Sequence, residues 1–175
     1  MHINFEFKAR HTDIQAAEQI LLAQGPHFAG EDHQIDTYFT VPNGRLKLRE
    51  GTIEQSLIFY QRSNTAGAKQ SNVVLYNHPA DAALKAALTA ALGVKVVVDK
   101  RRRIYFINNV KFHFDAVRSL GTFVEVEAVD KDGSVGLTAL QWQCAAYQQL
   151  FGVKDGDMMA ESYSDMLLAK KSSTG

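Results

Sequence analysis

Ionisable residues recur at every second position in several stretches of this chain. Asn4, Glu6 and Lys8 share one parity, with Ile3, Phe5 and Phe7 on the other. Arg45, Lys47 and Arg49 alternate with Leu46 and Leu48, and Lys111, His113 and Asp115 with Phe112 and Phe114. Glu125 and Glu127 alternate with Val124 and Val126, Arg62 ends a segment carrying Phe59 at the opposite parity, and Arg101 and Arg103 share parity within the run KRRR. A period of two places each set on one face of a strand. Guanidinium forks and lysine ammonium groups suit phosphate oxygens. Clustered carboxylates suit Mg2+ or Mn2+, hard cations that bridge to phosphates. Together they describe a site for a polyphosphate and a metal.

A solvated sheet explains any one of these strands. The set is different, because basic residues gather on some strands and carboxylates on another, where solubility alone would mix the signs. If the sheet curls into a barrel, all these charges face inward. About eight strands leave room for one small ligand. Buried charge is costly unless paired or coordinated, so such an interior requires a charged occupant.

The elements that must position these residues are legible from caps, turns and period. A first helix is expected after Thr12, with Thr12 and Gln15 as a capping box, a stripe of Ile14, Ala17 and Leu21, and a stop at Gly25-Pro26. A second opens near Pro79 and ends at Gly93, with Leu84, Leu88 and Leu92 on one face. A third runs from about Leu137 to Phe151, with Leu140, Cys144 and Tyr147 inward. Strands are expected at His2–Lys8, Asp36–Phe39, Arg45–Glu50, Glu54–Arg62, Val73–Tyr76, Val94–Asp99, Arg103–Ile107, Val110–Val117 and Thr122–Ala128. Asn43-Gly44, Asn108-Asn109 and Leu120-Gly121 supply tight reversals, so Arg103–Ala128 reads as a three-stranded meander. With no regular βαβ alternation the class is α+β, dominated by antiparallel sheet. Residues 1–168 read as one domain and 169–175 as a frayed, disordered tail.

Composition narrows the function classes. Nineteen basic residues balance nineteen acidic ones, which gives no reason to expect nucleic acid as a partner. The single cysteine, Cys144, excludes an internal disulfide and a thiolate zinc site. Apolar stretches fall far short of the roughly 20 residues of a membrane span, and the charged opening MHINFEFKAR lacks a signal-peptide core, so no membrane partner and a cytoplasmic location are expected. No GxxxxGK[ST] loop is present, so phosphate is to be held by side chains.

Four stretches, NFEFK, QIDTYFTVPNGRLKLRE, LIFYQR and KFHFDAVRSLGTFVEVEAV, resemble the CYTH domain, also called the triphosphate tunnel metalloenzymes. The segments LIFYQRSNTAGAKQS and SYSDML are most similar to the class IV adenylyl cyclase-like bacterial branch. The resemblance implies a closed antiparallel β-barrel, a tunnel of about eight strands with helices packed outside. It implies that Glu6 and Lys8 are the second Glu and the Lys of the ExExK hallmark, whose first Glu is Asn4 here. It implies substrate contacts from Lys8, Lys47, Arg49, Arg62, Lys69 and Arg103, and metal ligation by Glu6, Asp115, Glu125 and Glu127. Glu6, Lys8, Glu125 and Glu127 would be catalytic.

The activity so implied is metal-dependent chemistry on a triphosphate chain, with Mg2+ or Mn2+ as cofactor and a small-molecule triphosphate as partner. Cyclisation of ATP to cyclic AMP and pyrophosphate leads. The alternatives are hydrolysis of thiamine triphosphate, a nucleoside triphosphate or tripolyphosphate, and non-catalytic binding of nucleotide or polyphosphate, which the neutral Asn4 motivates. A monomer or homodimer is expected.

Overall fold

Strand alternation decides the architecture, because eight strands must bury an apolar face outward against helices while their charged faces look inward. The computed structural model describes residues 2–62, 67–79 and 81–173. In chain order the elements are β1 (His2–Arg10), α1 (Ile14–Leu22), β2 (His27–Phe39), β3 (Arg45–Gly51), β4 (Gln55–Gln61), β5 (Lys69–Asn77), α2 (Ala82–Leu92), β6 (Val94–Ile107), β7 (Val110–Val117), β8 (Gly121–Asp130), α3 (Leu137–Leu150) and α4 (Tyr163–Ser172). The strands close as β1-β5-β4-β3-β2-β6-β7-β8. Every neighbouring pair is antiparallel. The expected α+β tunnel with helices outside is therefore the fold.

Register sets what faces what in the lumen. Across β1 and β8, Glu6 lies opposite Glu127 and Lys8 opposite Glu125. Across β2 and β3, Asp36 lies opposite Arg49 and Tyr38 opposite Lys47. Arg102 on β6 faces Asp115 on β7.

Two apolar clusters hold the barrel. On the outer wall Phe7, Phe112, Phe114, Val124 and Val126 pack beneath Ala17 and Leu21 of α1 and Leu140 and Cys144 of α3. Phe7 and Phe112 are wholly buried, and truncating such a side chain to alanine costs about 3–5 kcal/mol. The second cluster is inside: Tyr38, Ile58, Tyr60, Val73, Val96, Val98, Val117 and Phe123 pack with Tyr163, Met166 and Leu167. Inward-facing residues of six strands can touch one helix only where it sits over the end of the barrel. So α4 covers one end.

Four expectations change. The segments Val94–Asp99 and Arg103–Ile107 are parts of one long strand, β6, which runs through the basic run without a break. The cap of α1 is Asp13, whose carboxylate accepts from Ala16 N at 3.0 Å, not a Thr12–Gln15 box. The second strand starts nine residues earlier than Asp36, at His27. The segment expected as a tail from 169 is helical through Ser172, because Ser162 and Asp165 form a reciprocal capping box that starts α4. Residues 174–175 of that tail lie outside the described residues, as do 63–66 of the LIFYQRSNTAGAKQS stretch.

Candidate active site in the tunnel

One cavity of about 650 Å³ runs inside the barrel. It collects Asn4, Glu6 and Lys8 from β1, Asp36 from β2, Lys47 and Arg49 from β3, and Arg62 just after β4. It also collects Lys100 and Arg102 from β6, Lys111 from β7, Glu125 and Glu127 from β8, and Glu54 from the β3–β4 turn. Seven cationic side chains and five carboxylates thus line one volume.

Asp36 is a hub for three cations. It accepts from Arg49 Nε at 2.8 Å and Nη2 at 2.9 Å, from Lys100 Nζ at 2.7 Å and from Lys47 Nζ at 3.0 Å. Burial by itself would raise this carboxyl, but Arg49, Lys100 and Lys47 outweigh it and hold it well below the usual carboxylate range. Burial disfavours the Lys100 ammonium too, and the Asp36 carboxylate 2.7 Å away opposes that by pairing with it.

A second group forms around Arg102. Its Nε and Nη2 donate to both oxygens of Asp115 at 2.7 and 2.6 Å, and Nη2 also donates to Glu125 Oε2 at 3.0 Å. Tyr163 at the head of α4 donates to Asp115 at 2.7 Å. Lys8 Nζ lies 3.7 Å from Glu125 Oε2 and 4.0 Å from the Tyr163 ring centroid. Burial lowers Lys8, with Glu125 opposing. His113 is buried beside Glu125, Nδ1 at 3.9 Å, and burial together with Arg102 and Lys111 keeps its imidazole neutral.

A third group holds the acid pair. Glu6 accepts from Arg62 Nη1 at 2.5 Å, and Glu127 accepts from the Asn4 amide. Burial pushes the Glu127 carboxyl up to about 7; Lys111 opposes this, while Glu6 and Glu125 add to it.

The structure therefore brings Glu6, Lys8, Lys47, Arg49, Arg62, Glu125 and Glu127 together on one cavity. It does not bring Arg103 there. That side chain is 44% exposed on the outer wall and donates to Glu18 of α1 at 2.7 Å. The error is one of parity: splitting β6 hid that Val96, Val98, Lys100 and Arg102 form one inward series. Arg102, 4% exposed, takes the place expected for Arg103. Lys69 is buried but donates to the carbonyls of Ala160 at 2.7 Å and Met159 at 3.3 Å, tying down the approach to α4. Burial lowers it to about 8. Asp115 lies behind the lining, engaged by Arg102 and Tyr163. Asp36, Glu54, Lys100, Arg102 and Tyr163 escaped the sequence reading as site residues, and Lys111 was read only as part of a charged face.

Comparison with known proteins decides the family. The CYTH domain model matches residues 2–163. The chain belongs to the CYTH family. A search of curated proteins found no match. Among solved structures, a conserved hypothetical protein from Pyrococcus furiosus superposes with a TM-score of 0.78 at 19% identity, covering 93% of this chain and 98% of that one. An adenylate cyclase candidate from Vibrio parahaemolyticus gives 0.76 at 18% identity, covering 94% and 97%. An adenylyl cyclase candidate from Hippeastrum, with a dominant triphosphatase activity, gives 0.59 at 10% identity, covering 98% and 96%. These likenesses are of fold.

The family implies a divalent metal, and this CYTH tunnel offers a hard cation one place. Asn4 Oδ1 is buried with no hydrogen-bond partner, next to Glu127 and on the same strand face as Glu6. Among the described residues no three His, Cys, Asp or Glu side chains are already gathered for a metal. The fitting set is instead two carboxylates completed by an amide oxygen, the all-oxygen donor type of Mg2+ and Mn2+. Arg102 engages both oxygens of Asp115, whereas Glu6 and Glu125 each give one oxygen to an arginine.

Proposed function

We propose that this protein is a metal-dependent enzyme acting on the triphosphate chain of a nucleoside triphosphate inside the tunnel, with cyclisation of ATP to cyclic AMP and pyrophosphate as the leading reaction. The observation that carries this is the convergence of seven cations with five carboxylates on one volume. A nucleoside triphosphate bears about four negative charges at neutral pH, and bidentate guanidinium pairing suits its oxygens. Lys47, Arg49, Lys100 and Arg102 would hold the chain, and Lys8 and Arg62 the end nearest the acid pair. Glu6, Glu127 and the Asn4 amide oxygen would hold Mg2+ or Mn2+. When bound, that ion supplies neutralisation of charge developing on the phosphoryl oxygens.

In cyclisation the ribose 3′-hydroxyl attacks the α-phosphorus and pyrophosphate leaves, so the hydroxyl proton needs an acceptor. With the ion bound, Glu127 would be held ionised as a ligand, so the proton would pass to solvent water or to a phosphate oxygen of the nucleotide itself. The cations preorganised by Asp36 and Asp115 stabilise the leaving pyrophosphate without moving. The same tunnel serves a second reading, hydrolysis, in which water in place of the 3′-hydroxyl attacks the terminal phosphorus of the chain. The Hippeastrum relative lends that reading support.

The deciding experiment incubates the protein with ATP, GTP, thiamine triphosphate or tripolyphosphate and Mg2+ or Mn2+, and separates cyclic nucleotide from free phosphate. Cyclic AMP with pyrophosphate supports the leading reading, and orthophosphate the second. Tight binding without turnover under every metal would leave a receptor, and overturn both.

A further inference from the structure

Glu54 reaches the lumen from outside the strands. It sits at the end of the β3–β4 turn, and its Oε2 accepts from Arg49 Nη1 at 2.8 Å and from Gln34 Nε2 at 3.0 Å. Its Oε1 accepts from Lys111 Nζ. Arg49 belongs to β3 and Lys111 to β7, so one carboxylate bridges two walls of the barrel.

The turn beneath it is built to hold it there. Asp32, wholly buried, accepts from Ile53 N at 2.9 Å, Glu54 N at 3.0 Å and Thr52 Oγ1 at 2.9 Å. Gly51 lets the turn close on that carboxylate: a Cβ there would stand 2.5 Å from the Glu54 carbonyl oxygen and 2.7 Å from Asp32 Oδ1. Burial would raise the Glu54 carboxyl, but Lys111 and Arg49 outweigh it and hold it at about 2, so it is ionised at neutral pH.

We infer that Glu54 is a resident stand-in for phosphate, occupying Arg49 and Lys111 until a triphosphate displaces it, and so setting the affinity of the tunnel for phosphate chains. The inference rests on the triphosphate reading above. Carboxylate and phosphate oxygens compete for the same donors. An anion reaching Arg49 and Lys111 breaks two charge-assisted contacts before it makes its own, and a chain long enough to engage the other lumen cations as well offsets that cost. The backbone anchor at Asp32 leaves the Glu54 side chain free to turn aside while the turn stays in place.

The test is calorimetric titration of tripolyphosphate, in metal-free buffer, into the native protein, Glu54→Gln and Glu50→Gln. Glu50 is a surface carboxylate paired with Lys85, so its variant controls for net charge. Glu54→Gln should bind about tenfold tighter, the equivalent of roughly 1.4 kcal/mol, and Glu50→Gln within about twofold of native. Native binding with no gain, or a loss, in Glu54→Gln overturns this inference and leaves the triphosphate reading standing. Absence of binding by both, in metal-free buffer and again with Mg2+ present, overturns the two together. If Glu54→Gln does not fold, Glu54→Asp serves: it keeps the charge but is one methylene too short to bridge both cations. It should bind several-fold tighter, and no gain overturns the inference. In native protein the Lys111 side-chain nitrogen resonance should also shift on adding tripolyphosphate; a static signal under saturation overturns it.

Discussion

Glu6 and Glu127 stand directly opposite each other across β1 and β8, and a different neighbour restrains each: Arg62 grips the first and the Asn4 amide the second. Two carboxylates in register inside a barrel repel, and their separate restraints hold that repulsion in check.

Glu127→Gln therefore has two expected effects of opposite sign. Divalent-metal affinity should fall by about tenfold or more, because an anionic ligand is lost while shape is nearly kept. Stability without metal should rise slightly as the repulsion disappears. Mn2+ titration calorimetry and paired thermal melts measure the two; unchanged metal affinity would remove Glu127 from the metal set.

Asn4→Glu tests the same face from the other direction. It adds a carboxylate where an unpartnered amide oxygen now sits. Metal binding should tighten, most visibly at limiting metal, and the metal-free melting temperature should drop. A variant with native metal affinity would show that Asn4 has another role.

Asp36 sets the acid limit of the fold. Its folded-state value lies well below the unfolded one, so its contribution is fully present above the unfolded value near 4 and is lost as pH falls through the folded value. Urea denaturation should show stability declining below about pH 4. Asp36→Asn should cost about 3–5 kcal/mol at neutral pH by leaving Arg49, Lys47 and Lys100 facing one another, and should flatten that acid decline.

Arg102 and Arg103 are sequence neighbours on opposite walls, which makes them an internal control. Arg102→Met should raise KM strongly and lower kcat, since it removes a lumen cation and frees Asp115 and Glu125. Arg103→Ala should leave KM and kcat near native and cost about 1 kcal/mol of stability or less through its partly exposed contact with Glu18. Equal kinetic damage from both would contradict the strand parity described.

Where strands are bounded by turns, their inner faces were legible from alternation alone. Asn4, Glu6 and Lys8, Lys47 and Arg49, and Glu125 and Glu127 all fall on the cavity as their parity requires. The KRRR run misled for a physical reason. Four consecutive cations mask the alternation that Val96 and Val98 begin, and only an unbroken β6 shows that Lys100 and Arg102 continue it. Glu54 lies at a turn, where no period applies, and Asp36 carries no charged neighbour at i±2 to announce a series. Helix α4 carries a short apolar stripe, Tyr163, Met166 and Leu167, within an otherwise polar segment, and both it and the Ser162–Asp165 capping box escaped the sequence reading.

Helix α4 lies over one end of the barrel, with Tyr163 projecting into the cavity. Among the described residues, a ligand that enters from the opposite end meets Tyr163 and α4 at the far side of the cavity. Under the proposed reaction, product would back out along the path by which substrate came in. If the proposed reaction runs here, its turnover depends on how readily the tunnel empties, and a product that clings to the inner cations would slow it from within.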